Sequence, residues 1–173
     1  MTTPYAQELK TNAKAMVSAG KGVLAMDESN GTCNKRFSAL GIPTTENHRR
    51  DYRELILTTP GLSDYISGPI LYDETIRQST KGGTPLLQVI QEAGMLPGIK
   101  VDTGAKDFAG HPGEKVTEGL DGLADRIAEY YQMGARFAKW RAVITIGDGI
   151  PSQACIAANA HALARYAALC QAG

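Results

Sequence analysis

The sequence of 173 residues predicts an α/β protein built on a parallel sheet. Three observations carry that prediction. Short apolar runs without alternation recur along the chain, as in strands buried on both faces. Segments with helical spacing fall between them. Each apolar run also stops at charged residues. Composition agrees: 43% hydrophobic and 21% charged residues are ordinary for a folded domain and exclude a disordered chain.

The first element is an amphipathic helix over residues 3–19, an N-terminal helix ahead of the remaining 20–173. Thr3 suits its cap and Pro4 its first turn, while Leu9, Ala13, Met16 and Val17 share one face. Gly20 and Gly22 end it. Strand one is Gly22-Val-Leu-Ala-Met26, halting at Asp27-Glu28. A helix over 45–57, with Tyr52, Leu55 and Ile56 on one side, leads to strand two, Gly68-Pro-Ile-Leu-Tyr72, which halts at Asp73-Glu74. Thr84-Pro85 opens a helix bearing Leu86, Leu87, Val89 and Ile90, closed by Gly94. Strand three, Leu96-Pro-Gly-Ile99, runs into Lys100-Val101-Asp102. His111-Pro-Gly-Glu114 reads as a turn. A helix over 118–133 presents Leu120, Leu123, Ile127 and Tyr130 or Tyr131, with Gly134 as its stop. Strand four, Ala135-Arg-Phe-Ala138, runs into Lys139-Trp140-Arg141 and is extended by Val143. Pro151 begins the last helix, capped from Gly149 or Ile150 and continuing to about residue 170.

Polar side chains at the C-terminal ends of parallel strands are where a (β/α)8 barrel places its ligand. A doubly wound sheet does the same, so the pattern leaves both open. An eight-stranded barrel takes about 250 residues, and only four strand–helix units are present. If the fold is a barrel, residues 20–173 are half of one, ending before a fifth strand.

Charge and cysteines narrow the function. Lys and Arg number 18 and so do Asp and Glu, and a pI near 6.8 gives no footprint for nucleic acid or an anionic membrane. Cys33, Cys155 and Cys170 form no close pair, which suits a reducing interior. MTTPYAQELK lacks a secretory pattern, and Asn159, His161 and Arg165 interrupt the most apolar segment, so the expected location is the cytoplasm. Gly20-Lys-Gly-Val-Leu-Ala25 has the letters of a dinucleotide fingerprint, but its glycines precede the strand instead of following it. His48, His111 and His161 are too scattered for a metal site.

The candidate chemistry lies in Asp27, Lys100, Lys139 and Arg141, from three strand ends. On a barrel they converge on one pocket. A carboxylate among cations is available to take a proton from a substrate hydroxyl, and the cations can hold phosphates. Taken singly, each residue reads as a salt-bridged group closing the sheet; as a set on successive strand ends, they read as a functional site. Ser29, Thr32, Lys35 and Arg36 follow strand one and suit either a phosphate cradle at a helix start or simple capping.

Four segments then carry a resemblance: Gly20-Lys-Gly-Val-Leu-Ala-Met-Asp-Glu-Ser29, Gly98-Ile-Lys-Val-Asp102, Gly119-Leu-Asp-Gly-Leu123 and Phe137-Ala-Lys-Trp-Arg141. In one register they closely resemble class I fructose-1,6-bisphosphate aldolases, over nearly the whole chain. The resemblance implies a TIM barrel that reversibly cleaves fructose 1,6-bisphosphate to dihydroxyacetone phosphate and glyceraldehyde 3-phosphate in glycolysis and gluconeogenesis. It implies no metal and no other cofactor, because a lysine amine forms an iminium with the C2 ketone. It places Asp27 at the C4 hydroxyl chemistry with Lys139 as its electrostatic partner. Lys100 and Arg141 would recognise substrate and phosphate, and Ser29, Thr32, Arg36 and Arg49 fall at or near positions used around substrate. Thr32 stands where a serine is common.

The family's Schiff-base lysine and glutamate acid/base lie on strands that would follow Gly173. The expectation is therefore the N-terminal half of such a barrel, inactive alone. The alternative is a non-catalytic phosphate-binding or scaffolding half-barrel. Unpaired flanks of strands one and four would drive association with itself or with a complementing half.

Overall fold

The computed structural model describes residues 4–173, so the Thr3 cap lies outside the described residues. Helix α1 (Ala6–Met16) leads to β1 (Gly22–Ala25), followed by α2 (Asn30–Ala39) and α3 (Glu46–Leu57). A single turn, α4 (Leu62–Tyr65), precedes β2 (Ile66–Leu71), then α5 (Asp73–Ile76) and α6 (Leu86–Glu92). Next come β3 (Gly98–Lys100), β4 (Gly104–Asp107) and β5 (Lys115–Glu118). The chain closes with α7 (Leu123–Met133), β6 (Phe137–Lys139) and α8 (Gln153–Ala172).

Four strands form one parallel sheet in the order β1-β2-β3-β6. Ala25 pairs with Ile70, Leu71 with Ile99, and Lys100 with Lys139. Burial on both faces holds for the inner strands, with Leu71 and Ile99 at the centre of the core. It fails for the outer two. Val23 and Ala25 of β1 are exposed, and β6 is half-buried throughout, because among the described residues each has a strand neighbour on one flank only. The core between sheet and helices gathers Met26, Leu57, Leu86, Ile90, Val101, Leu123, Ile127 and Trp140.

Three sequence expectations are corrected. Residue 118 ends a strand and does not start a helix: β4 and β5 pair antiparallel about the turn at 109–113, and the helix waits until Leu123. Gly119 makes the bend that follows. Its φ is +127°, and a Cβ there would lie 2.9 Å from the Thr103 nitrogen, so a side chain is excluded twice over. Val143 does not extend β6, as residues 140–146 run irregularly past the hairpin. The last helix starts at Gln153 with Ser152 as its cap, since the Ser152 hydroxyl accepts from the Cys155 N–H at 3.1 Å; Ile150–Pro151 is cis just ahead of it.

The faces of two helices also differ in part from expectation. On α3, Leu55 is exposed and the inward positions are Arg49, Arg53 and Leu57. Two carboxylates explain the exchange, Glu74 taking Arg49 and Glu28 taking Arg53. On α1 no residue is fully buried. Leu9, Ala13 and Met16 do share a face, which lines a cavity of about 320 Å³ against Tyr131, Phe137 and Tyr166, and only Val17 departs from it, being exposed.

Candidate active site

The strand ends make the site. Asp27 lies two residues past β1, Lys100 and Lys139 are the last residues of β3 and β6, and Arg141 follows β6 by two. All four line one cavity of about 410 Å³, with Glu28, Ser29, Thr32, Arg36, Tyr72, Asp102 and Val143 among its other walls. Parallel strands in register bring these residues together across more than 110 positions of sequence.

Electrostatics then order the cavity. Lys100 and Lys139 stand opposite each other in register, so two cationic side chains leave neighbouring strands at the same end of the sheet. Each is met by its own carboxylate. Lys139 forms an ion pair with Asp27, and Lys100 with Asp102. Lys100 also donates to the Asp102 carbonyl at 2.8 Å. Arg141 is exposed, and among the described residues its guanidinium has no partner, leaving it the most available cation of the cavity. Its backbone is fixed: the N–H donates to Asp102 Oδ2 at 3.1 Å and the carbonyl accepts from Thr117 at 2.7 Å.

The opposite wall is the start of α2. Ser29 caps this helix, its Oγ accepting from the Thr32 N–H at 3.3 Å and lying 3.2 Å from the Thr32 hydroxyl. Capping is therefore realised, in the same place where a phosphate cradle would sit. Arg36 points its guanidinium at Glu28 at 2.5 Å, and Glu28 also receives Arg53 from beneath at 2.5 Å. Burial disfavours the Glu28 carboxylate, but hydrogen bonding and charge from Arg53, with Arg36 added, outweigh it and hold the carboxyl below its ordinary range.

Two residues expected near this region do not reach the cavity. Arg49 is buried on α3, where Glu74 takes its Nε and Nη2 at 2.7 Å each and Asn34 its Nη1 at 3.0 Å. Lys35 is exposed on the outer side of α2 and is not among the lining residues. Asp102, Glu28 and Tyr72 also line the cavity and are not among the residues the sequence predicts for it. For Asp102 a signal existed: it lies two residues beyond Lys100 in an extended run, hence on the same side.

Chemically, the cavity offers a carboxylate–ammonium pair at its floor, a second such pair beside it, a free guanidinium and two hydroxyls at a helix start. It suits an anionic, polyhydroxylated ligand. Among the described residues no set of three or more His, Cys, Asp and Glu is placed to hold a metal ion, and no helix is long and apolar enough to cross a membrane.

Comparison with known proteins extends this. The family model described as fructose-bisphosphate aldolase class-I matches residues 8–173. A probable fructose-bisphosphate aldolase class 1 of Xylella fastidiosa is 67% identical over 165 residues, covering 95% of this chain and 49% of that protein. The cytosolic fructose-bisphosphate aldolase 6 of Arabidopsis thaliana is 51% identical over 170 residues, covering 98% and 48%. Fructose-bisphosphate aldolase of Plasmodium falciparum, solved in complex with TRAP and a small-molecule inhibitor, superposes with a TM-score of 0.95 at 44% identity, over 99% of this chain and 50% of that one. The chain thus spans about half the length of the relatives it matches. With a parallel α/β sheet of the TIM-barrel type and a family match over almost every residue, the chain belongs to the class I fructose-bisphosphate aldolases.

Proposed function

We propose that the cavity at the ends of β1, β3 and β6 is the sugar-phosphate site of a class I aldolase that reversibly cleaves fructose 1,6-bisphosphate, working in the cytoplasm. The four parallel strands are the first half of its barrel. Convergence of Asp27, Lys100, Lys139 and Arg141 on one cavity carries this reading. Asp27 takes the proton of the C4 hydroxyl as the C3–C4 bond breaks and returns it in condensation, and the Lys139 ammonium beside it stabilises the charge that moves. Lys100 and Arg141 grip phosphate oxygens, Arg141 with the bidentate geometry a guanidinium allows. Ser29, Thr32 and Arg36 close around the ligand from the α2 side, with Arg36 leaving Glu28 to do so. Arg49 serves the site at one remove, by fixing α3 to α5 through Glu74.

The covalent step, attack of a lysine amine on the C2 ketone, is assigned to no residue of this chain. The expected behaviour of the isolated chain is therefore binding without turnover. Its sheet has no further strand on either flank among the described residues, and that observation supports a second reading, a phosphate-binding half-barrel that associates with a copy of itself or with a complementing half. Titration calorimetry with fructose 1,6-bisphosphate tests the shared claim. Binding should weaken as salt rises, and Lys139→Met and Arg141→Met should each weaken it by roughly tenfold or more. No heat at millimolar ligand sinks the sugar-phosphate site. Borohydride trapping with dihydroxyacetone phosphate, then peptide mapping, separates the readings: an adduct on a lysine places the iminium-forming step in this chain.

A further inference from the structure

We infer that Asp102 is a positioning residue for the cavity's cations, an inference that rests on the sugar-phosphate reading of the site. Its side chain is 2% exposed, yet one carboxylate ties three segments together. Oδ1 receives the Lys100 ammonium and, at 3.1 Å, the Gly104 N–H at the start of the hairpin. Oδ2 receives the Arg141 N–H at 3.1 Å, beyond the end of β6. The two cations held in this way come from different strands and sit 41 positions apart in the sequence.

The consequence for ligand binding follows from donor counting. A lysine ammonium has three N–H donors. Lys100 spends one on the Asp102 carboxylate and one on the Asp102 carbonyl, so its charge is folded back and fixed with one donor left for a ligand oxygen. Without the carboxylate, Lys100 would face Lys139 across the sheet with no counter-charge of its own and would swing toward solvent. Asp102 also sets where the Arg141 backbone leaves β6, and so where the unpartnered guanidinium enters the cavity. Cations arranged before the ligand arrives spare the ordering cost that flexible ones incur.

Asp102→Asn is the test, because it keeps the shape. An asparagine has a single acceptor oxygen, so one side of it must present an N–H₂ to a donor, whichever way it is turned. Calorimetry at fixed salt should show fructose 1,6-bisphosphate bound about tenfold more weakly than by the wild-type chain, with the far-UV circular dichroism unchanged. In a Lys100→Met background the same substitution should cost clearly less, about threefold, since one of the two cations it positions is gone and only its hold on the Arg141 backbone remains. Should Asp102→Asn not fold, Asp102→Glu keeps the charge but misplaces it, and the same loss and the same dependence on Lys100 are expected. Wild-type binding that Asp102→Asn leaves unchanged overturns the inference alone. So does an equal loss with and without Lys100, which would make Asp102 a general support of the fold. A wild-type chain that does not bind the bisphosphate overturns the reading of the site and the inference with it.

Discussion

Arg53 shows how a single charge organises its surroundings. Its side chain is 2% exposed, a depth at which a guanidinium persists only with its donors matched. They are matched by Glu28 Oε2 at 2.5 Å, the Glu28 carbonyl at 2.7 Å and the Cys33 sulfur at 3.4 Å. Burial opposes the charge on Glu28, but Arg53 and Arg36 overcome it, so the folded-state carboxyl titrates below the ordinary value of 4.5. The sign follows by linkage. A depressed carboxyl stabilises the fold fully above its unfolded pKa, and that stabilisation drains away as pH falls through the folded value. Urea midpoints should thus decline below about pH 4.5. Glu28→Gln should lower the midpoint at pH 7 and flatten part of the acid decline; an unaltered acid limb would refute the assignment. Asp27, Lys100, Lys139 and Arg141 are legible in the sequence because a charge that ends an apolar run marks a strand terminus. The pairing of Glu28 is not, since its main partner lies 25 residues away on α3, where apolar spacing predicts Tyr52, Leu55 and Ile56 as the inward face.

Among the elements, the four parallel strands and most helices can be read from apolar runs and their stops, whereas the β4–β5 hairpin cannot. Its strands are four residues each, and Lys115-Val-Thr-Glu118 is too short for alternation to declare itself ahead of a helical pattern. The hairpin is held from outside. Glu114, 3% exposed, accepts the Ser152 N–H at 2.6 Å, and Asn159 of α8 donates to the Lys115 carbonyl at 3.0 Å. Those contacts join residues some 40 positions apart, a distance at which sequence spacing is silent. Strand β3 depends on a close approach instead. The Phe137 ring of β6 lies over Gly98, and a Cβ on Gly98 would come within 2.2 Å of it. Gly98→Ala must therefore push the ring aside, at a cost of about 2 kcal/mol. Pairing it with Phe137→Leu should return part of that loss in urea unfolding. Full additivity of the two substitutions would show that the ring is not the obstacle.

For the molecule as a whole, the two flanks of the sheet are not equivalent. On the β6 side the Ala138 carbonyl, which β3 does not use, accepts the Tyr166 hydroxyl of α8 at 2.8 Å. Burial raises the Tyr166 phenol above its ordinary range, so it stays a donor across neutral pH. Helices α1, α7 and α8 also crowd that side around the 320 Å³ cavity. Among the described residues the β1 side has no such cover: Val23 is 41% exposed and Ala25 is exposed, beside backbone groups that β2 does not engage. An uncovered, apolar edge strand recruits another strand. Purified chain should therefore associate as concentration rises, through β1 and not β6. Sedimentation velocity over a hundredfold range of concentration reads this directly. Val23→Lys, a charge on the pairing edge, should shift the equilibrium toward monomer by about tenfold. Tyr166→Phe should not restore it, because the helices still occupy the β6 flank. A wild-type chain that stays monomeric at high concentration removes the case for edge pairing. An association that Val23→Lys leaves intact moves the contact away from β1.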